Sequence, residues 1–312
     1  WRKRTQNTSW YNEPLGTRYR GNRREFPAVA VIVGVLHGIK IYDGDDPDLP
    51  LWAYYKRLSW DRDVNSIAAR DGKICFTIHT NNAYSGNGFG ILDFVKDRQS
   101  RNYISGYSNF KNGFVNDLIA SKRETNTYLT LGTNTREFTL VDYNAKDVAM
   151  TVLPNAPIDD ATGLPIPTIA VATNGGVSVI KDNGTVVDIT GQTEAPYRIT
   201  FNRSNPNEII TSGYWTRVMK VYEIPSSDAS ESTQLRYYVD SQTPKIPFGS
   251  GAMDFESTQN EELIVKVTGG TPSNGFYRIA ENLESKTNGM TAYIRSDCNT
   301  GWMHGDIKGA FL

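Results

Sequence analysis

Ile307-Lys308-Gly309-Ala310-Phe311-Leu312 is the stretch that decides the fold. It is a short run of strand character, and no further strand follows it in the sequence. A lone strand can neither bury a face nor pair its backbone groups, so a partner is expected elsewhere. The run aligns with five others, starting at Val64 (VNSIA), Val115 (VNDLI), Ile158 (IDDAT), Tyr197 (YRITF) and Ala252 (AMDFE). After the first three comes a second strand, ICFTIHTN, YLTLGTN or TIAVATN. A third follows, FGILDFV, REFTLVDY or GVSVIKD, and then a looser fourth. Four strands recurring every 40–55 residues or so is the period of a β-propeller blade.

The sixth first-type run has no second, third or fourth strand after it. The beginning of the chain supplies three strands and lacks a first: AVAVIVGV (28–35), GIKIYDG (38–44) and LWAYYKRL (51–58). Together they make one blade. The sequence therefore predicts an all-β chain, a β-propeller of six four-stranded blades closed by pairing of the C-terminal strand with the N-terminal blade. The blades fall at 26–58 plus 305–312, 62–106, 114–153, 156–191, 196–240 and 250–296. The unit at 156–191 matches the repeat most weakly, which keeps five or seven blades as alternative counts. Two successive β-sandwiches compete, but they predict neither a quasi-repeat nor incomplete end units that sum to one.

Composition agrees with a packed chain. Of 312 residues, 38% are hydrophobic and 11% aromatic, enough for a sizeable core. The net charge of −1 provides no global field toward nucleic acid or membrane. No apolar run reaches the length of a transmembrane helix. The sequence opens on Trp1 rather than Met, which reads as a processed or excised piece. Two cysteines, Cys75 and Cys298, are too few for a disulfide scaffold. Cys75 lies inside an apolar strand and reads as a buried thiol. Asp182-Asn183-Gly184 is a strong hairpin signal.

Residues 1–25 differ from the rest. Arg2, Lys3, Arg4, Arg18, Arg20, Arg23 and Arg24 stand against Glu13 and Glu25, with Trp1, Trp10, Tyr11 and Tyr19 interleaved. The preferred reading is an arm used in assembly or packing. Trp1, Arg2, Arg4, Trp10, Arg18 and Arg20 supply its aromatic anchors and basic rim. Polyanion binding is the weaker reading, because the body is neutral and no nucleic-acid module is recognised.

Chemistry is sparse. His37, His79 and His304 lack metal-ligand spacing, and there is no Gly-x-Ser-x-Gly elbow and no Walker loop. No catalytic residue is assigned. Acids on or beside first-type strands are Asp63, Asp117, Asp159, Asp160, Asp254 and Asp306. Asp117, Asp254 and Asp306 form the weak glycosidase alternative, against the stronger reading that such acids cap turns. Asp43, Asp45, Asp46 and Asp48 cluster in DGDDPD and could offer oxygens to Ca2+, though a solvated turn explains them better; no other cofactor is implied. Trp52, Tyr54, Tyr55, Trp60, Tyr214, Trp215, Tyr237, Tyr238 and Trp302 are the aromatic candidates for stacking on sugars. Trp52, Tyr214, Trp215 and Trp302 are the selected ligand-binding set.

Asn299-Thr300-Gly301-Trp302-Met303-His304-Gly305-Asp306-Ile307-Lys308-Gly309-Ala310 resembles a segment of tailed-bacteriophage structural proteins, marine ones above all. The close resemblance covers about the last 20 residues, Tyr293 to Leu312. It implies a strand-rich, propeller-like region of a tail or tail-fibre protein, often followed by carbohydrate-binding-like modules. It carries no catalytic residues. The expected function is a non-enzymatic virion protein serving assembly or host-surface attachment, located in the virion or outside the cell. Its expected partners are other virion subunits, copies of itself and host-surface glycans. The alternative is a secreted glycan-binding propeller, either a lectin or a glycoside hydrolase.

Overall fold

The structure, a computed structural model, describes residues 5–56, 62–80, 85–105, 114–117, 140–160, 163–213, 218–233, 235–239, 253–258, 262–267, 275–280 and 290–294. Among the described residues there are 21 β-strands, a 3-10 turn at Glu231–Thr233 and no α-helix. Contacts divide the chain into two units. The first is Trp1–Ile169 with Ile180–Val186, and the second is Ala170–Val179 with Val187–Leu312.

The first unit opens with an antiparallel sheet of β1 (Ala30–Val35), β2 (Gly38–Asp43) and β3 (Leu51–Lys56), in chain order. Alternation sends Ile39 and Ile41 into the core, while Lys40 and Tyr42 stay partly exposed on the other face. Gly38 is required by a close approach: a Cβ there would lie 2.1 Å from the Tyr55 carbonyl oxygen. The second sheet runs β4 (Arg62–Arg70), β5 (Lys73–Thr80), β6 (Ser85–Asp93), β7 (Arg98–Ser105) and β8 (Phe114–Asp117). Its first hairpin turns on Asp71-Gly72 with φ of 48° and 76°, the left-handed pair a two-residue turn demands. Ile39, Ile41, Trp52, Ile74, Phe76 and Leu92 lie in one buried cluster joining these sheets.

The third sheet contains β9 (Ala145–Thr151), β10 (Thr168–Thr173), β11 (Gly176–Ile180) and β12 (Val186–Thr190). The Asp182-Asn183-Gly184 hairpin forms as expected: Lys181 N donates to Thr185 O at 2.8 Å, and Gly184 has φ 83°. In the second unit, β13 (Pro196–Phe201), β14 (Glu208–Gly213), β15 (Val218–Glu223) and β17 (Arg236–Val239) make one antiparallel meander. A last meander follows, of β18 (Met253–Ser257), β19 (Glu262–Val267), β20 (Gly275–Ala280) and β21 (Met290–Ile294). Ile210, Met219 and Val221 pack with Leu263, Val265 and Ile279 in one buried cluster of the second unit. The Ser257 hydroxyl donates to Phe201 O, and Arg203 N donates to that hydroxyl, both at 2.8 Å.

The chain is thus all-β, a series of small, largely antiparallel sheets. The runs aligned at Val64, Tyr197 and Ala252 open their sheets as β4, β13 and β18. Two runs behave differently. The run at Val115 does not open a sheet. As β8 it pairs antiparallel with β7, Asn116 opposite Ser100, covering that sheet's outer edge. The run at Ile158 makes only a bridge to Pro165 inside its own loop, with Ile158 56% exposed. The strand that opens the third sheet is β9, expected as the end of the 114–153 blade. The reason is burial. Asp147, Val148 and Ala149 are a continuous buried run, and the Lys146 carbonyl accepts from Asn65 Nδ2 at 2.6 Å and Thr77 Oγ1 at 3.3 Å. Residues 118–139 lie outside the described residues.

Candidate functional site

The N-terminal arm is the most elaborate non-repeating feature among the described residues. The expected anchor Trp10 is 1% exposed, inside its own unit. Its indole N–H donates to Phe94 O at 2.7 Å, and its ring meets those of Trp52 and Phe94 at 5.6 Å and 5.8 Å. Phe26 completes the group, 4.7 Å from Trp52 and 5.1 Å from Phe94. Beside it the Asp97 carboxylate, on the β6–β7 turn, accepts from Ser9 N and Ser9 Oγ, both at 2.6 Å. The arm therefore latches the first sheet to the second.

Arg20 is also buried. Its guanidinium lies 4.2 Å from the centroid of the Trp52 ring and donates to Trp52 O at 2.6 Å and Arg24 O at 2.8 Å. Glu13 stands 3.6 Å from its Nε. Residue 20 bridges Ala53 and Tyr19 O accepts from Tyr54 N, so the arm covers the outer edge of β3. Of the two roles in the assembly-or-packing reading, these contacts give Trp10 and Arg20 the packing one: their interior partner is the arm's own sheet. Arg18 is exposed, stacked at 4.4 Å over Tyr19. Trp1, Arg2 and Arg4 lie outside the described residues.

For Trp52 the structure corrects the expectation. It is 1% exposed, and its indole N–H donates to Glu25 O at 2.7 Å, so its ring cannot be a stacking surface for a ligand. The cause is a bulge. Ile41 pairs with Ala53 and Tyr42 with Leu51, which leaves Trp52 as the extra residue, turned into the core. Tyr55 is buried against Gln99, to which its hydroxyl is hydrogen-bonded, and Tyr54 is partly exposed with its hydroxyl pKa raised by burial. Tyr214, Trp215, Trp60 and Trp302 lie outside the described residues, as does Asp306. Asp117 and Asp254 occupy backbone positions in β8 and β18, opposite Gln99 and Lys266. These two share no sheet, so no common strand register brings them together.

The acidic turn is closed by the chain itself. Arg23 Nη1 donates to Asp43 Oδ1 at 2.7 Å and to Asp45 Oδ2 at 2.7 Å. The amides of Ala28 and Val29 and then this guanidinium hold the Asp45 carboxyl below the usual carboxylate range. Asp43 accepts from Asp45 N, and Asp46 from Asp48 N. For Asp43 and Asp45 a guanidinium stands where the calcium reading put an ion, and the turn amides take further oxygens. Cys75 is fully buried, as expected, and its thiol pKa is pushed up by desolvation.

Two features were not legible in the sequence. In the second unit, a strap between β15 and β17 lays β16 (Ala229–Ser230) parallel to β12. Glu231 on the strap is hydrogen-bonded to the buried Lys220 ammonium and accepts from Thr193 N at 2.9 Å. Burial pushes the Glu231 carboxyl up, but Lys220 and Thr193 together hold it below its ordinary value. In the first unit, β1 turns apolar residues outward: Val31 is 40% and Val33 39% exposed, flanked by Val29 and Leu36 at 59% and 57%. The alternating apolar run hinted at such a face, but exposure depends on what packs there.

No family model matches the chain, and no curated protein matches it. Among solved structures it overlaps a functionally unknown protein from Desulfotomaculum acetoxidans at 11% identity and TM-score 0.45, over 85% of this chain and 65% of that one. It overlaps the hydrazine synthase of Kuenenia stuttgartiensis at 12% and 0.47, over 84% of this chain and 60% of that one. It overlaps Hsv2 of Kluyvelomyces marxianus at 10% and 0.39, over 90% and 76%. The chain thus spans less than two thirds of the first two. Likeness at this level carries no argument about activity. The sheets themselves define the class: an all-β protein of consecutive small sheets, mostly antiparallel meanders.

Proposed function

We propose that this chain is a non-enzymatic structural protein of a tailed-bacteriophage virion, in the tail or its fibres, built as a β-propeller of six four-stranded blades. It serves assembly, attachment to the host surface, or both. The observation that carries the scaffold reading is the repeated up-and-down sheet, whose strands lie side by side in chain order from β4 to β7, β9 to β12 and β18 to β21. The Asn299–Ala310 segment, with its resemblance to phage tail proteins, directs the scaffold to a virion. Interlocked sheets such as those held by Trp10 and Lys220 suit a part that bears load rather than one that opens and closes. The glycan-binding alternative loses Trp52 to the core and retains Tyr214, Trp215 and Trp302.

The test is mass spectrometry of nuclease-protected particles banded by density from the source sample. Peptides of this chain are expected to co-band with capsid peptides. Their confinement to the particle-free protein fraction would overturn the virion reading.

A further inference from the structure

We infer that the outer edge of β12 is a strand-acceptor site for an acidic, extended peptide, and that the strap between β15 and β17 fills it as an internal ligand. This site goes beyond the scaffold reading and does not depend on it. The residues that form it lie in the second unit.

The strap is held by polar recognition more than by burial. From Ser226 to Thr233 it reads Ser-Ser-Asp-Ala-Ser-Glu-Ser-Thr, with Ala229 its one apolar residue. Its strand β16 pairs in parallel with two residues of β12, Ile189 and Thr190. On either side of that pairing a carboxylate takes over. Asp228 Oδ1 accepts from Asp188 N at 3.0 Å, and Glu231 Oε2 accepts from Thr193 N at 2.9 Å. Glu231 also meets the Lys220 ammonium, itself buried on β15. The edge therefore engages main chain, one carboxylate, and three residues later a second carboxylate set on a buried cation. Backbone pairing with spaced side-chain contacts is how sheet edges recognise peptides. An extended segment carrying Asp-x-x-Glu presents the same groups in the same order.

The two ends of the strap are held unequally. At the Asp228 end, Asp188 lies on the same edge. Burial raises its carboxyl, the Ser178 hydroxyl holds it partly back, and the Asp228 charge raises it further, so two carboxylates repel there. Ser227, Asp228 and Ser230 are exposed. With little apolar surface removed from water, this end is expected to open locally while the sheet stays folded. The Glu231 end holds, because a buried Lys220 without an anion is costly. The same cost selects the replacement: an incoming carboxylate restores the pair, and a neutral or basic peptide cannot.

The probe is a fluorescently labelled synthetic peptide of residues 226–233. It is expected to bind an Asp228→Ser, Glu231→Ser double variant, whose strap has lost both carboxylates, at least tenfold more tightly than it binds the parent. The peptide with Asn and Gln in place of its acids is expected to bind the double variant at least tenfold more weakly. Adding Lys220→Met to the double variant is expected to erase that difference. Failure of the acidic peptide to bind the folded double variant overturns the inference, as does equal binding of the acidic and amide peptides. Hydrogen exchange of the parent keeps the test sharp should the double variant fail to fold. The amides of Asp188 and Thr193 are expected to exchange at least tenfold faster than those of Ile209–Thr211 in the central strand β14. Exchange of all of them at one rate, through global unfolding, overturns the inference.

Discussion

The two units join their sheets by opposite means. In the first, an arm with no strand of its own drives Trp10 between Trp52, Phe26 and Phe94, and the Ser9–Asp97 contact fixes its approach. In the second, a strap carries Glu231 to a buried ammonium on β15 and to the Thr193 amide. The aromatic latch gains from area removed from water and is insensitive to salt and pH. The ionic staple costs desolvation on both partners and regains it only while both are charged and in place. The latch tolerates approximate geometry, whereas the staple specifies one register between strap and sheet.

Four experiments sharpen or break that contrast. The largest effect is expected from Trp10→Ala, which empties the centre of the aromatic group. Urea unfolding should show a loss of about 3–5 kcal/mol, insensitive to salt. A loss below about 1 kcal/mol would mean that the arm decorates the sheets instead of joining them. Glu231→Ala leaves Lys220 buried without its carboxylate and should cost about 3 kcal/mol. Lys220→Met with Glu231→Leu should recover most of that, because the desolvation cost disappears with both charges. A double variant no better than the single one would show that Glu231 acts through Thr193.

Acid provides the third comparison. The folded pKa of Glu231 is lowered, so its stabilisation is complete above its unfolded value, about 4.3, and is lost as pH falls through the folded value. Asp188, whose carboxyl burial raises, works in the opposite sense and favours the protonated protein until pH rises through its folded value. Thermal melts between pH 6 and pH 3 should therefore fall in the parent, and fall less in Glu231→Gln. Parallel curves for the two proteins would remove the staple from the acid response. The smallest effect concerns Cys75, fully buried in β5. A thiol reagent should leave it unmodified in the native state and react on unfolding; fast native labelling would contradict the burial that raises its pKa.

Much of the architecture was legible because strand physics is local. β-branched runs separated by Asn, Asp and Gly turns predict an all-β chain, and Asp182-Asn183-Gly184 specifies its hairpin without help from distant residues. The repeat identified β4, β13 and β18 as sheet openers for the same reason. The candidate sites were less legible. Strict alternation turns Trp52 outward with Tyr54, and only the bulge at Ile41–Tyr42 sends it inward. Acids in DGDDPD read as a solvated turn with calcium as the weaker alternative, and neither reading anticipates Arg23, some twenty residues earlier, which pairs with Asp43 and Asp45.

Sequence by itself determined the class of secondary structure, the meander order within sheets and the burial of Cys75, since each follows from periodicity over a few residues. Tertiary structure alone decided that β8 closes the second sheet and β9 opens the third, that the basic arm turns Trp10 and Arg20 inward, and that Lys220 meets Glu231. Those outcomes depend on which surfaces arrive beside a segment after folding. A strand can be recognised from its own residues, but its partner is selected by the whole chain competing for the same edge.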